Sequence, residues 1–188
     1  MGKILCFIYD DMADFEITLA CHFLSFAQKE IIPISYEGNM VKSRPGLMYV
    51  ASVSVEEALE LDEVEGIIIP GGWNDEQKPE LTELIEKLFK EGKLVSAICA
   101  GPQFLARAGV LKERKFTTTL QPEDFTEKGE TDIFPRENYV ESSVVRDGNV
   151  ITAKGNAFVD FAIELYDWFN KFENAKDKED TAKYYKSL

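Results

Sequence analysis

Short apolar runs at residues 3–9, 66–70 and 94–98, each followed by a helical pattern, narrow the folds open to this chain. Runs of that length with few polar interruptions suit strands buried on both faces, and the intervening helices serve as crossovers between parallel strands. Residues 31–36 supply a further strand, and residues 41–43 and 48–51 flank Arg44-Pro45-Gly46 as a small hairpin. Asp14 is expected to cap a helix running to residue 29. Pro79 opens a helix over 79–91 with Leu81, Leu84, Ile85 and Leu88 on one stripe. A short acidic helix is expected over 56–61 and another helix over 101–108. Residues 139–146 and 149–153 read as strands joined at Asp147-Gly148, and 156–172 as the last core helix. Repeated β-α-β alternation predicts a three-layer α/β/α sandwich with a mostly parallel sheet and a small β-hairpin.

All 188 residues fit one domain, drawn here at 1–172. The charged tail, 173–188, is either a docked surface helix or partly disordered. A formal net charge of −13 disfavours nucleic acid and anionic membranes as partners. No apolar run reaches the length of a membrane span. Asp10 and Asp11 follow the N-terminal apolar run at once, without a small-residue cleavage site, so a signal peptide is not expected. The three cysteines, Cys6, Cys21 and Cys99, are few and unpaired in spacing, which fits free thiols in the cytoplasm better than disulfides or a zinc site.

Ligands of open α/β sheets bind beyond the carboxyl ends of the strands. Two candidate segments fall there: Pro70-Gly71-Gly72 and Ala97-Ile98-Cys99-Ala100-Gly101-Pro102. A nucleophile on a sharp strand–turn–helix needs small neighbours, and Ala97, Ala100 and Gly101 supply them. A helix N-terminus beside Cys99 is expected to favour its thiolate. The alternative is a small hydrophobe ending a strand. Glu16 shares a helical stripe with Ala20, Phe23 and Ala27, which points its carboxyl at the sheet. Burial there raises its pKa and lets it donate to a sulfur anion or sulfur oxide. The plainer reading is a first-turn glutamate that suits the helix dipole.

The segments 10–16 (Asp-Asp-Met-Ala-Asp-Phe-Glu), 68–72 (Ile-Ile-Pro-Gly-Gly) and 97–102 resemble, in order, three signatures of the DJ-1/ThiJ/PfpI superfamily. Residues 151–158 resemble its approach to the final helix, so the likeness runs from residue 3 to about 170. The resemblance implies a flavodoxin-like fold, a homodimer, Cys99 as the reactive cysteine and Glu16 as its carboxyl partner. It also implies the backbone N–H groups of Gly72 and Ala100 as anion-stabilising donors. Gly71, Trp73, Gly101 and Gln121 are expected to line the pocket; no metal or cofactor is called for.

Many enzymes of the superfamily pair the cysteine with a histidine after the next strand. Thr117-Thr118-Thr119-Leu120-Gln121-Pro122 stands there instead, with Gln121 the nearest substitute. The single histidine, His22, falls on the solvent face of the first helix. Cys99-Ala100-Gly101-Pro102-Gln103 also fits the nucleophile pattern of class I glutamine amidotransferases. Those enzymes need a later histidine, and none follows Cys99, so amidase, protease and amidotransferase chemistry are discounted. Placed first is a redox or stress-response role through Cys99 oxidation, with an oxidant or small molecule as ligand. A Cys/Glu enzyme acting on a small electrophile, of glyoxalase, deglycase or isonitrile hydratase type, is the alternative. A non-catalytic binding domain is the third reading. Arg44 is either an exposed turn residue or a reach across a dimer interface.

Overall fold

A computed structural model describes residues 1–187. Strands β1 (Lys3–Phe7), β2 (Glu30–Ser35), β5 (Val53–Ser54), β6 (Val64–Ile69), β7 (Leu94–Ile98), β8 (Val144–Asp147) and β9 (Val150–Ala153) form one sheet. Its spatial order is β5-β2-β1-β6-β7-β9-β8, parallel throughout except for the β8–β9 hairpin. Strands β3 (Met40–Lys42) and β4 (Met48–Val50) pair separately as the small antiparallel hairpin. Helices α1 (Phe15–Phe26) and α6 (Phe158–Trp168) pack together in one layer. Helices α2 (Val55–Ala58), α3 (Pro79–Lys90) and α4 (Pro102–Arg107) form the other, and α5 (Pro122–Thr126) is a short helix between β7 and β8. This is the expected three-layer sandwich.

The central strands are fully buried, as their composition requires: Ile67, Ile68 and Ile69 on β6 and Val95, Ala97 and Ile98 on β7 are all at 0% exposure. The stripe Leu81, Leu84, Ile85 and Leu88 buries the inner face of α3. Burial of one leucine contributes about 2 kcal/mol, so each stripe fixes its helix against the sheet. The acidic helix starts at Val55 because a capping box closes on Ser54 and Glu57: the Ser54 hydroxyl accepts from the Glu57 N–H at 3.1 Å, and the Glu57 carboxylate accepts from the Ser54 N–H at 2.8 Å.

Three expectations need correction. The strand anticipated over 139–146 is confined to Val144–Asp147, because Arg136–Asn138 is a 3₁₀ turn and Tyr139 only bridges Phe116. The last core helix is shorter at both ends, its entry being the 3₁₀ turn Gly155–Ala157. Asp14 does not cap α1 with its side chain. Its buried carboxylate instead accepts from the Ser43 hydroxyl at 2.9 Å and the Tyr49 hydroxyl at 3.0 Å, fastening the β3–β4 hairpin beside the start of α1.

The tail forms α7 (Ala175–Lys186), capped by Asn174, whose side chain accepts from the N–H groups of Lys176 and Asp177. It docks on α6 through Lys178 with Glu164 and Asp167, and through Lys186 with Asp160. Tyr185 packs on Phe23 with ring centroids 4.9 Å apart.

Asp14→Ala is expected to lower unfolding free energy by about 2 kcal/mol in urea titration, since it removes a charged acceptor from two hydroxyls. A change below about 0.5 kcal/mol contradicts the fastening role.

Candidate active site

The site is assembled from the ends of four strands. The β1 exit supplies residues 10–16, the β6 exit supplies Pro70-Gly71-Gly72, Cys99 follows directly on β7, and β9 runs into Lys154-Gly155. Cys99 has φ +63°, a left-handed conformation that costs a non-glycine residue about 1–3 kcal/mol. Four backbone and side-chain contacts hold it there. The Cys99 N–H donates to the Ala153 carbonyl at 2.8 Å, and its carbonyl accepts from the Thr119 N–H at 3.0 Å and the Thr118 hydroxyl at 2.8 Å. The Gly101 N–H closes the turn on the Ile98 carbonyl at 2.8 Å.

Small residues around the sulfur are steric necessities. A Cβ at Gly71 would stand 2.6 Å from the Cys99 Cβ and 2.9 Å from its Sγ. A Cβ at Gly155 would stand 2.8 Å from the same Sγ and 3.1 Å from Glu16 Oε1. At Gly101 it would meet the Ile69 and Pro70 carbonyls at 2.7 and 2.8 Å. Gly155 lies in the stretch leading to α6, and its N–H donates to the Thr119 hydroxyl at 2.9 Å.

Glu16, 1% exposed, sits in the first turn of α1 beneath this cysteine. Its Oε2 accepts from the Gly71 N–H at 2.7 Å, and its carboxyl hydrogen-bonds the Cys99 sulfur. Gly71 therefore serves the carboxylate as well as leaving room for the sulfur. Burial raises the Glu16 pKa to about 7, against the opposing pull of the Cys99 and Gly71 hydrogen bonds. Burial also pushes the Cys99 thiol up to about 12, helped by the charge and hydrogen bond of Glu16 and opposed by Thr119 and the Ala100 N–H. Two groups in contact titrate as a pair. The pair thus gives up one proton near pH 7 and keeps the second far into the alkaline range. Between those limits Glu16 is a carboxylate that accepts from a protonated Cys99 thiol.

The expected help from a helix N-terminus is largely absent. Helix α4 is six residues long, Pro102 has no N–H, and the N–H groups of Gly101, Gln103 and Phe104 are taken by the Ile98, Ala100 and Gly101 carbonyls. Of the N–H groups of this turn, that of Ala100 reaches the sulfur. The residues at 70–73 are braced on the β1 exit: the Ala13 N–H donates to the Gly71 carbonyl at 2.8 Å, and the Trp73 N–H to the Asp11 carbonyl at 3.2 Å.

Two cavities of about 460 Å³ meet at Trp73, which is 66% exposed. Phe15, Glu16, Cys99, Thr119, Gln121 and Lys154 line the one that opens on the sulfur. Gly72, Ala100 and Gln103 line the other. Thr119, Lys154, Gly155 and Phe15 were not singled out as site residues from the sequence; the Lys-Gly step directly after an apolar strand was the available signal. His22 is exposed and stacks edge-on to Phe26 at 4.5 Å, on the outer face of α1. Arg44 engages its own chain, over the Trp73 ring at 5.0 Å and 3.5 Å from Asp11.

The sequence profile of the DJ-1/PfpI family matches residues 2–167. The chain belongs to the DJ-1/PfpI family. Among curated relatives, a deglycase of Pyrococcus furiosus is 30% identical over 173 residues, covering 90% of this chain and 96% of that one. A deglycase of Thermococcus kodakarensis is 28% identical over 177 residues with the same coverage. The solved DJ-1 superfamily protein of Agrobacterium tumefaciens superposes with a TM-score of 0.83 at 27% identity, covering 100% of this chain and 99% of its own. The flavodoxin-like DJ-1 superfamily fold is thereby shown. No described helix is long and apolar enough to cross a membrane, and no described group of three or more His, Cys, Asp or Glu side chains is placed to hold a metal ion.

The Glu16 pKa has a consequence for stability. A group raised from 4.5 to about 7 on folding stabilises the fold fully below pH 4.5 and loses that contribution as pH rises through 7. The stability of the native chain relative to Glu16→Gln is therefore expected to fall by roughly 3 kcal/mol between those limits, measured by denaturant titration at each pH. A pH-independent difference contradicts the buried shared proton.

Proposed function

We propose that Cys99 and Glu16 act together on a small reactive carbonyl compound or its adduct, giving the chain a protective role under carbonyl stress. The observation that carries this reading is the buried Glu16 carboxyl against the Cys99 sulfur, opening on a cavity the size of a small organic molecule. Cys99 Sγ adds to the carbonyl carbon, forming the C–S bond. The C=O π electrons pass to oxygen, and the thiol proton goes to Glu16. Glu16, titrating near 7, is tuned to take that proton and return it to the oxyanion as the hemithioacetal forms. The Ala100 N–H, with that of Gly72 beside it in the adjoining cavity, is assigned to the developing negative charge. Phe15 and Trp73 provide apolar walls, and Gln121 and Lys154 polar positions at the rim. The names of the two archaeal relatives, deglycases matched over nine-tenths of this chain, favour the same class.

Oxidation of Cys99 stands second. The carboxyl of Glu16 and the Ala100 N–H already contact the sulfur, which suits them to hold a sulfenate or sulfinate. For the assembly we propose a homodimer. Leu47, Met48 and Val50 on and beside β4 are all more than half exposed, and pairing two hairpins would cover them. The free thiols fit a cytoplasmic setting, and the charge of −13 fits a small-molecule ligand rather than nucleic acid.

Consumption of a small α-dicarbonyl by the purified chain is the test. Cys99→Ser is expected to abolish turnover, and Glu16→Gln to lower kcat by about 100-fold or more. Turnover that survives Cys99→Ser, or no turnover with peroxide-sensitive Cys99, sinks the carbonyl reading; the second outcome selects the oxidation reading.

A further inference from the structure

A second pair of thiols lies away from the site. Cys6, on the inner strand β1, is 3% exposed and stands in register with Pro33 and Ile68. Cys21, on α1 five residues beyond Glu16, is only half-buried. Their sulfurs are 3.8 Å apart, in thiol–thiol hydrogen-bond contact, and neither lines the cavity at Cys99. A disulfide needs them about 1.8 Å closer. The two cysteines are separated by 14 residues and belong to different layers, so a bond between them would tie α1 to the sheet.

We propose that Cys6 and Cys21 form a redox-active dithiol, independent of Cys99, which a hydroperoxide converts to an intrachain disulfide. Its polarity follows from exposure. Cys21 meets the oxidant first: its sulfur attacks the peroxide, the S–O bond forms, the O–O bond breaks, and the departing hydroxide leaves as water with the Cys21 proton. Cys6 then attacks the sulfenic sulfur of Cys21. The S–S bond forms, the S–O bond breaks, and hydroxide leaves as a second water with the Cys6 proton. The two thiols are oxidised by two electrons and the peroxide is reduced. The hydrogen bond supports the same order, since it lowers the Cys21 pKa while holding the proton on Cys6, whose pKa is raised well above the usual thiol value.

The experiment uses the full chain carrying Cys99→Ser, so that its outcome is separate from the chemistry of the candidate active site. The folded Cys99→Ser protein is treated with hydrogen peroxide, quenched, unfolded, alkylated and mapped by mass spectrometry. The expected result is a Cys6–Cys21 crosslinked peptide with loss of two hydrogens, removed by dithiothreitol and absent after Cys21→Ser. Cys6→Ala, an apolar replacement in the core, is expected to leave Cys21 at the sulfenic or sulfinic stage. Full alkylation of both cysteines after treatment, a Cys21 sulfinate beside an alkylatable Cys6 in the Cys99→Ser protein, or a crosslink only between chains overturns the assignment.

Discussion

Burial of the Glu16 carboxyl against the Cys99 sulfur is the contact on which the arrangement of the site depends. An isolated carboxylate in that position is costly to bury, and the chain offsets the cost in two ways. The Gly71 N–H donates to one oxygen, and the sulfur hydrogen-bonds the carboxyl group. The remaining penalty shows as a carboxyl that keeps its proton to about pH 7. A thiolate then becomes reachable by moving one proton across one hydrogen bond, with no need for the histidine that a Cys-His dyad uses.

That contact explains choices far apart in the sequence. Gly71, Gly101 and Gly155 come from three different strand exits, and each would place a Cβ within 3 Å of a neighbouring atom. The positive φ of Cys99 is held by the Ala153 carbonyl, the Thr119 N–H and the Thr118 hydroxyl, so the strain of the elbow is opposed by contacts from β9 and the 117–119 segment. Asp14 ties the β3–β4 hairpin to the start of the helix that carries Glu16. The fold's parallel strands bring these exits to one edge, as the strand order of an open α/β sheet requires.

Much of this was legible in the residues. The apolar runs of β1, β6 and β7 and the stripe of α3 carry strong period signals, and their bounds agree closely with the structure. The Glu16 stripe correctly pointed inward because its neighbours Ala20 and Phe23 are core residues. Asp14 was misread because a polar residue before a helix has the same local signature whether it caps its own N–H groups or meets hydroxyls some 30 residues away. The 139–143 stretch has strand-like composition but lacks a ladder partner beyond Phe116. The helix start after Cys99 predicts free N–H groups around the sulfur, yet those of Gly101, Gln103 and Phe104 are used within the turn and Pro102 has none. Gly155 carried no periodic signal, since its importance arises only from its approach to Cys99 in space.

The most direct measurement of the shared proton is the rate of Cys99 alkylation against pH, followed peptide by peptide in the native chain and in Glu16→Gln. The account predicts a native profile in which Cys99 alkylates more slowly at neutral pH than an ordinary thiol and its rate goes on rising toward pH 12, because burial and the Glu16 carboxylate hold the proton on the sulfur. In Glu16→Gln the midpoint is predicted to fall from about 12 while staying above the ordinary thiol value of 9, since the charge and hydrogen bond of the carboxylate are gone and burial remains. Identical profiles in the two proteins, or a midpoint in the variant above the native one, would contradict it.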